Sequence, residues 1–292
     1  MSELLMKDRI CMITGANSGI GKNTALELAK MDAHIIMVCR SKNKGIQAQK
    51  EILELSGNPD IDLMVADLSS LTSIRNLADK FKERYANLHI LIQNAGTMVK
   101  NRSVTTDGLE TTFATNYLGP FLLTNLLLDV LITSAPSRII SISSGMHHRA
   151  SIDLEDLQST KSYKNMNVYS MSKLANILFI YELHHRLQNS RVTNVTANAV
   201  HPGFVRTNFG KNGLNWFQKL GMRLIHPFIA ISPQKGSETS IYAASSPEIE
   251  NQSGKYFANK QLSESSPLTH DRNLQQKLWK ISEELTGFSS KL

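Results

Sequence analysis

The feature that most constrains this chain is an alternation of short apolar runs with helical stretches, starting near its first residues and persisting over most of its length. An apolar run from Arg9 to Ile13 ends in a glycine-rich turn, a helical stretch reaches Met31, and a second apolar run follows from His34 to Cys39. That is a β-α-β unit. The pattern then predicts helix near Lys42–Leu55, strand Ile61–Val65, helix Leu71–Tyr85, strand Leu88–Ile92, helix near Leu109–Leu131, strand Arg138–Ser143, helix Val168–Gln188 and strand Thr193–Val200. After Val200 comes a long segment rich in glycine and aromatic residues. A helix near Pro233–Ala244, a short strand at Lys255–Ala258 and a polar tail complete the chain. Within the tail, 271–292, a helix over Leu274–Leu285 is expected to pack loosely. Short apolar strands separated by helices predict an α/β fold: a doubly wound parallel sheet with helices on both faces.

The composition fits that fold and narrows the function. A chain of 292 residues with 41% hydrophobic and 20% charged content can fill one large core. No Pro/Gly/Ser-rich linker or repeat marks a boundary, so residues 1–292 are expected to form a single domain. Cys11 and Cys39 lie in apolar runs without CxxC spacing, which predicts buried free thiols in a reducing compartment. The segment Met1 to Asp8 lacks the apolar stretch of a signal peptide, and no run is expected to approach membrane-spanning length. A cytoplasmic location follows as an expectation, under which the sequons at Asn101, Asn194 and Asn251 are chance matches. The formal net charge of +7 is scattered, with no block of five like charges and no aromatic-interleaved basic stripe. Nucleic acid is therefore not the expected partner, whereas a phosphorylated cofactor would use some of the charge.

Six groups of residues carry chemistry. Thr14-Gly15-Ala16-Asn17-Ser18-Gly19-Ile20-Gly21 sits where a strand ends and a helix begins, with glycines spaced G-x-x-x-G-x-G. Glycines allow a tight turn and close approach to a pyrophosphate, and the following helix offers unpaired N–H groups and a positive dipole end. Taken alone, the cluster is a weak signal, with a tight strand–helix turn as the alternative reading. The second strand ends at Val38-Cys39-Arg40, where an NAD site would place a carboxylate on the ribose 2′-hydroxyl. A guanidinium there suits the 2′-phosphate of NADP, unless Arg40 is simply a solvated surface cation.

Asp67-Leu68 and Asn94-Ala95-Gly96 follow the third and fourth strands, at the carboxyl ends where such a sheet binds its ligand. Asp67 could equally cap the next helix, and Asn-Ala-Gly could be only a turn. Tyr169 and Lys173 are spaced i, i+4 and share one helix face. A phenol with a pKa near 10 is a poor acid–base group at neutral pH, so a nearby ammonium favouring the phenolate is what proton transfer requires. Ser143-Ser144, ending the fifth strand, offers a hydroxyl to polarise a carbonyl oxygen.

In order along nearly the whole chain, the residues resemble the short-chain dehydrogenases/reductases, and within them the retinol-dehydrogenase-like group. The matching stretches are Thr14 to Gly21, Cys39-Arg40, Asp67-Leu68, Asn94 to Gly96, Asn116 to Phe121, Ser143-Ser144, Tyr169 to Asn176 and His201 to Thr207. The resemblance implies a Rossmann fold and an NADP(H)-dependent oxidoreductase interconverting an apolar alcohol and its aldehyde or ketone. It implies a catalytic tetrad of Asn116, Ser144, Tyr169 and Lys173, with Ser144 chosen as the second serine of its pair. Tyr169 would be the general acid or base and Ser144 would hold the substrate oxygen. Lys173 would lower the Tyr169 pKa and bind the nicotinamide ribose, and Asn116 would hold a water linking Lys173 to solvent. Gly15, Asn17, Ser18, Gly19, Ile20, Gly21, Arg40, Asp67, Leu68, Asn94, Ala95 and Gly96 would bind the cofactor, with Pro202, Gly203, Val205 and Thr207 at its nicotinamide end.

Between Ser144 and Tyr169 the spacer is longer than the family's usual one, a length that resembles the retinol-dehydrogenase group. Membrane-bound members carry an N-terminal apolar anchor that Met1 to Asp8 does not supply, which leaves the natural substrate open. The segment 204–231, with Phe209, Trp216, Phe217 and Phe228, reads as a substrate-selecting lid, as a helix packed on the core or on a second copy in a homo-oligomer, or as a peripheral membrane contact. The pairs His147-His148 and His184-His185 are expected at the surface without metal, because adjacent side chains point apart. Two other functions compete: a non-catalytic NADP-sensing protein, and light-driven ring reduction as in protochlorophyllide reductases. The intact tetrad argues against the first and the absence of a cysteine near Tyr169 in sequence against the second.

Overall fold

The computed structural model describes residues 6–203 and 232–290. Among these, strands β1 (Ile10–Thr14), β2 (His34–Cys39), β3 (Ile61–Val65), β4 (Ile90–Gln93), β5 (Ser137–Ile142), β6 (Val195–His201), β7 (Lys255–Ala258) and β8 (Gln261–Leu262) form one sheet. Their order is β3-β2-β1-β4-β5-β6-β7-β8, parallel throughout except for the β7–β8 hairpin. The order reverses between β1 and β4, the kind of switch point at which such sheets bind ligands at the carboxyl ends of their strands.

Besides short 3-10 helices, seven longer helices accompany these strands among the described residues: α1 (Gly19–Lys30), α2 (Lys42–Ser56), α3 (Leu71–Arg84), α4 (Thr111–Thr133), α5 (Asn165–Asn189), α6 (Pro233–Ser245) and α7 (Arg272–Thr286). The period-2 alternation of a strand sends neighbouring side chains to opposite faces. On β1, Cys11 and Ile13 join a core with Ala25 and Leu28 of α1, Ile52 of α2 and Ala243 of α6. Met12 points the other way, into a core with Phe81 of α3, Phe121 of α4, Leu178 of α5 and Trp279 of α7. Both faces are buried, which is why the strands read as continuous apolar runs. Cys11 and Cys39 are buried free thiols, as the sequence predicts.

Two sequence expectations are corrected here. The helix α4 is, by length and composition, long and apolar enough to cross a membrane, but 72% of its apolar window is buried, and Phe121, Leu122, Leu123 and Leu127 are fully enclosed. It is a core helix. The tail helix α7 packs tightly, not loosely: Trp279 lies edge-on to Phe121 with centroids 5.0 Å apart and stacks on Phe179 at 5.6 Å. The Tyr117 and Ser282 hydroxyls meet at 2.7 Å, and Arg75 donates to the Thr286 carbonyl at 2.8 Å. The tail looks polar because only the stripe Gln275, Leu278, Trp279, Ser282 and Thr286 is buried.

Candidate active site

The glycine-rich loop turns at the end of β1. Thr14 is buried there, and its hydroxyl oxygen accepts the backbone N–H groups of Asn94 and Ala95, both at 3.0 Å. Asn94 donates its side-chain amide to the Thr14 carbonyl at 2.8 Å, locking the loop after β4 against the loop after β1. That closeness dictates glycine at position 21, where a Cβ would lie 2.6 Å from the Gly15 carbonyl oxygen. Gly15 and Gly19 take left-handed φ of 69° and 58°. Ser18 precedes α1 in extended backbone without a side-chain cap, and no acidic residue occupies the first turn. The N–H groups of that turn are therefore unclaimed by a capping side chain, beside the partly exposed Asn17 and Ile20.

Next to this loop, the Cys39 sulfur accepts hydrogen bonds from the amides of Ala16 and Asn17, while burial pushes its thiol up to about 11. Arg40 follows directly, exposed and without a hydrogen bond or ion pair among the described residues. Asp67 does not cap α3. Its carboxylate accepts from the Ser69 amide and hydroxyl at 2.9 and 2.7 Å, and Ser70 supplies the cap. Leu68 is buried, with its carbonyl against Gly119. Gly96 is half-buried beside Ala95.

Tyr169, Lys173, Ser144 and Asn116 converge at the carboxyl ends of β4 and β5. The Ser144 hydroxyl hydrogen-bonds the Tyr169 phenol, but burial dominates and raises the phenol to about 12. Lys173 is buried and drawn down to about 8 by desolvation. Its ammonium donates to the Ile142 carbonyl at 2.8 Å, and Nζ stands 5.8 Å from the Tyr169 ring centroid. One turn further along α5, Lys173 directs its ammonium to the end of β5. Asn116 sits in a π-helical turn, Ala114–Leu118, within α4. Its amide donates to the Thr97 carbonyl at 2.9 Å and the Ser172 hydroxyl at 3.0 Å, and its oxygen accepts the Thr97 N–H at 2.7 Å. With those groups engaged, the side chain pins the loop after β4. Ser143, the other serine, faces inward and donates to the Lys173 carbonyl at 2.7 Å.

Pro202 and Gly203 close β6 beside this cluster, Gly203 with φ of 82°. Val205, Thr207 and the whole segment 204–231 lie outside the described residues. The expectation that the paired histidines are surface residues is corrected for His147, which is fully buried with both ring nitrogens hydrogen-bonded. His184 is partly buried and bonded to Ser253 at 2.9 Å, while His148 is exposed. Among the described residues no cluster of three or more His, Cys, Asp or Glu could hold a metal. Sequence reasoning gave no site role to Thr97, Ser172, Cys39 or His147. Cys39 and Ser172 did carry a signal, since both lie inside matched stretches, Cys39-Arg40 and Tyr169 to Asn176.

The profile of the family described as short chain dehydrogenase matches residues 9–216. The chain belongs to the short-chain dehydrogenases. It is 40% identical to polyprenol dehydrogenase of Homo sapiens, over 96% of this chain and 86% of that one. It is 41% identical to human retinol dehydrogenase 14 (97% and 88%) and 43% identical to mouse retinol dehydrogenase 12 (96% and 86%). These relatives place this short-chain dehydrogenase in the retinol-dehydrogenase-like group. A crystal structure of an uncharacterised protein from Mycobacterium paratuberculosis superposes with a TM-score of 0.80 at 32% identity, covering 98% of this chain and 96% of that one. A short-chain dehydrogenase from Shigella flexneri complexed with NADP shares the fold at a TM-score of 0.66 and 21% identity, over 89% of this chain and 100% of that one.

Proposed function

We propose that this chain is an NADP-dependent oxidoreductase that interconverts an apolar alcohol and its aldehyde or ketone. The observation that carries the reading is the hydrogen bond between Ser144 and Tyr169 at the strand ends, with the Lys173 ammonium buried beneath it. When bound, the dinucleotide supplies or accepts the hydride. The chain's own groups suit it: the α1 N-terminus offers amides that no side chain caps, the loop glycines permit close approach, and Arg40 is an exposed cation next to that loop, unpaired among the described residues.

The phenol of Tyr169 moves the proton. Held near 12, it is protonated at neutral pH and poised to donate to a substrate oxygen in carbonyl reduction. Ser144 orients that oxygen through its hydroxyl. Lys173 supplies a buried donor that can turn from the Ile142 carbonyl toward a ribose hydroxyl, and Asn116 fixes the Thr97 loop that borders them. The names of the relatives, polyprenol and retinol dehydrogenases, support long apolar substrates. The test is turnover by the purified chain with decanal and retinal, comparing NADPH with NADH. NADPH-dependent reduction faster than the NADH reaction is the expected result; no turnover of either aldehyde with either cofactor overturns the reading.

A further inference from the structure

One peptide group next to the site is held at both ends by imidazoles. Ser144 leaves β5 in extended backbone and caps the short 3-10 helix Gly145–Arg149, its hydroxyl accepting the Met146 N–H at 3.3 Å. The carbonyl of Ser144 accepts from His147 Nδ1 at 2.7 Å. The N–H on the other side of the same peptide bond, that of Gly145, donates to His201 Nδ1 at 3.2 Å. We infer that His147 and His201 are positioning residues that clamp the Ser144–Gly145 peptide and thereby set the Ser144 hydroxyl against Tyr169.

The partners fix both tautomers. A backbone carbonyl can only accept, so His147 Nδ1 carries a proton; its Nε2 accepts the Ser266 N–H at 3.0 Å and carries none. His201 is the reverse, because Nδ1 accepts two backbone N–H groups, those of Gly145 and Gly203, the latter at 3.3 Å. Each ring must therefore be neutral to make its contacts. Burial works in the same direction, bringing His147 down to about 4 and lowering His201.

Each imidazole is anchored in turn. Ser266 lies in a network in which Ser265 meets both Thr269, at 2.7 Å, and the Tyr181 hydroxyl of α5, at 2.8 Å. Tyr256 of β7 sets its ring edge against His147 at 5.0 Å. His201 ties the serine loop to the Pro202–Gly203 turn, and a Cβ on Gly145 would come within 3.3 Å of its Nε2. A hydroxyl held through one peptide inherits the rigidity of that peptide, and displacement of a reacting group by about 1 Å costs up to about a hundredfold in rate.

The inference rests on Ser144 holding the substrate oxygen, so Ser144→Ala is the reference in the test, which reads NADPH-dependent reduction of decanal together with melting temperature. His147→Asn keeps an amide donor near Nδ1 for the Ser144 carbonyl and gives up Ser266. His147→Gln keeps an acceptor near Nε2 for Ser266 and gives up Ser144. On the other side, His201→Asn retains an acceptor near Nδ1 and His201→Leu removes it. We expect kcat to fall by about ten- to a hundredfold in His147→Gln and His201→Leu with KM for NADPH little changed, and to stay near wild type in His147→Asn even where that variant melts earlier. Should one pair fail to fold, the other decides. The clamp is overturned if kcat tracks melting temperature and not the retained contact, or if every histidine variant keeps wild-type kcat while Ser144→Ala loses it. Full activity of Ser144→Ala overturns the underlying reading of the serine, and the inference with it.

Discussion

Exposed Arg40 follows the residue whose sulfur receives the Ala16 and Asn17 amides, next to the loop expected to hold the cofactor's phosphates. A charge-assisted contact is worth about 1.5–3 kcal/mol. Arg40→Leu should therefore weaken NADPH by roughly ten- to a hundredfold while leaving NADH nearly unchanged, as read by fluorescence titration. The phenol makes a second prediction. With Tyr169 raised to about 12 and Lys173 lowered to about 8, the protonated phenol prevails at neutral pH. Alcohol oxidation, which needs a proton acceptor, should speed up from pH 7 toward 10, whereas carbonyl reduction should hold steady and then decline; parallel pH profiles of kcat/KM in the two directions check this. That Ser144, Tyr169 and Lys173 are candidates was legible, Tyr169 and Lys173 from their spacing and Ser144 over Ser143 from the resemblance to the family. What Lys173 touches was not, since i, i+4 spacing gives a shared helix face but says nothing of the Ile142 carbonyl that competes for the ammonium.

Strands and helices were legible to within a few residues because their apolar periodicity is strong, as with β3 and β7, whose bounds match the expected ones. The ends that differ are set by caps that periodicity does not carry. The helix α4 begins at Thr111 because buried Glu110 accepts the N–H groups of Thr112 and Phe113 at 3.0 and 2.7 Å. Gln158, from the long spacer, in turn accepts the Glu110 N–H at 2.7 Å, so the spacer steadies the start of the helix that carries Asn116. Glu110→Ala should cost about 1–3 kcal/mol in denaturant unfolding, and it should lower turnover more than it lowers cofactor affinity. The π-helical turn around Asn116 left no trace in the sequence. It arises where the helix must turn the amide toward Thr97 and Ser172, a demand of tertiary contacts and not of propensity.

At the scale of the whole molecule, one sheet separates two cores, and the tail that looks dispensable in sequence completes one of them through Trp279. Trp279→Ala should destabilise the fold by about 3–5 kcal/mol, seen as a lower melting temperature, with KM for NADPH unaltered in the molecules that remain folded. The doubly wound topology was legible because alternation of strand and helix constrains it so tightly. The burial of α7 was not, because its polar exterior conceals a narrow stripe whose partners, Phe121 and Phe179, lie far away in the chain. All of this architecture brings the ends of β4 and β5 and the start of α5 to one place, where the phenol of Tyr169 is proposed to move a proton. The most direct test is steady-state reduction of decanal by NADPH in wild type and Tyr169→Phe, a change that keeps the ring and removes the hydroxyl. The account predicts a fall in kcat of about 10²–10⁴-fold with NADPH affinity unchanged; a Phe variant turning over at close to the wild-type rate would contradict it.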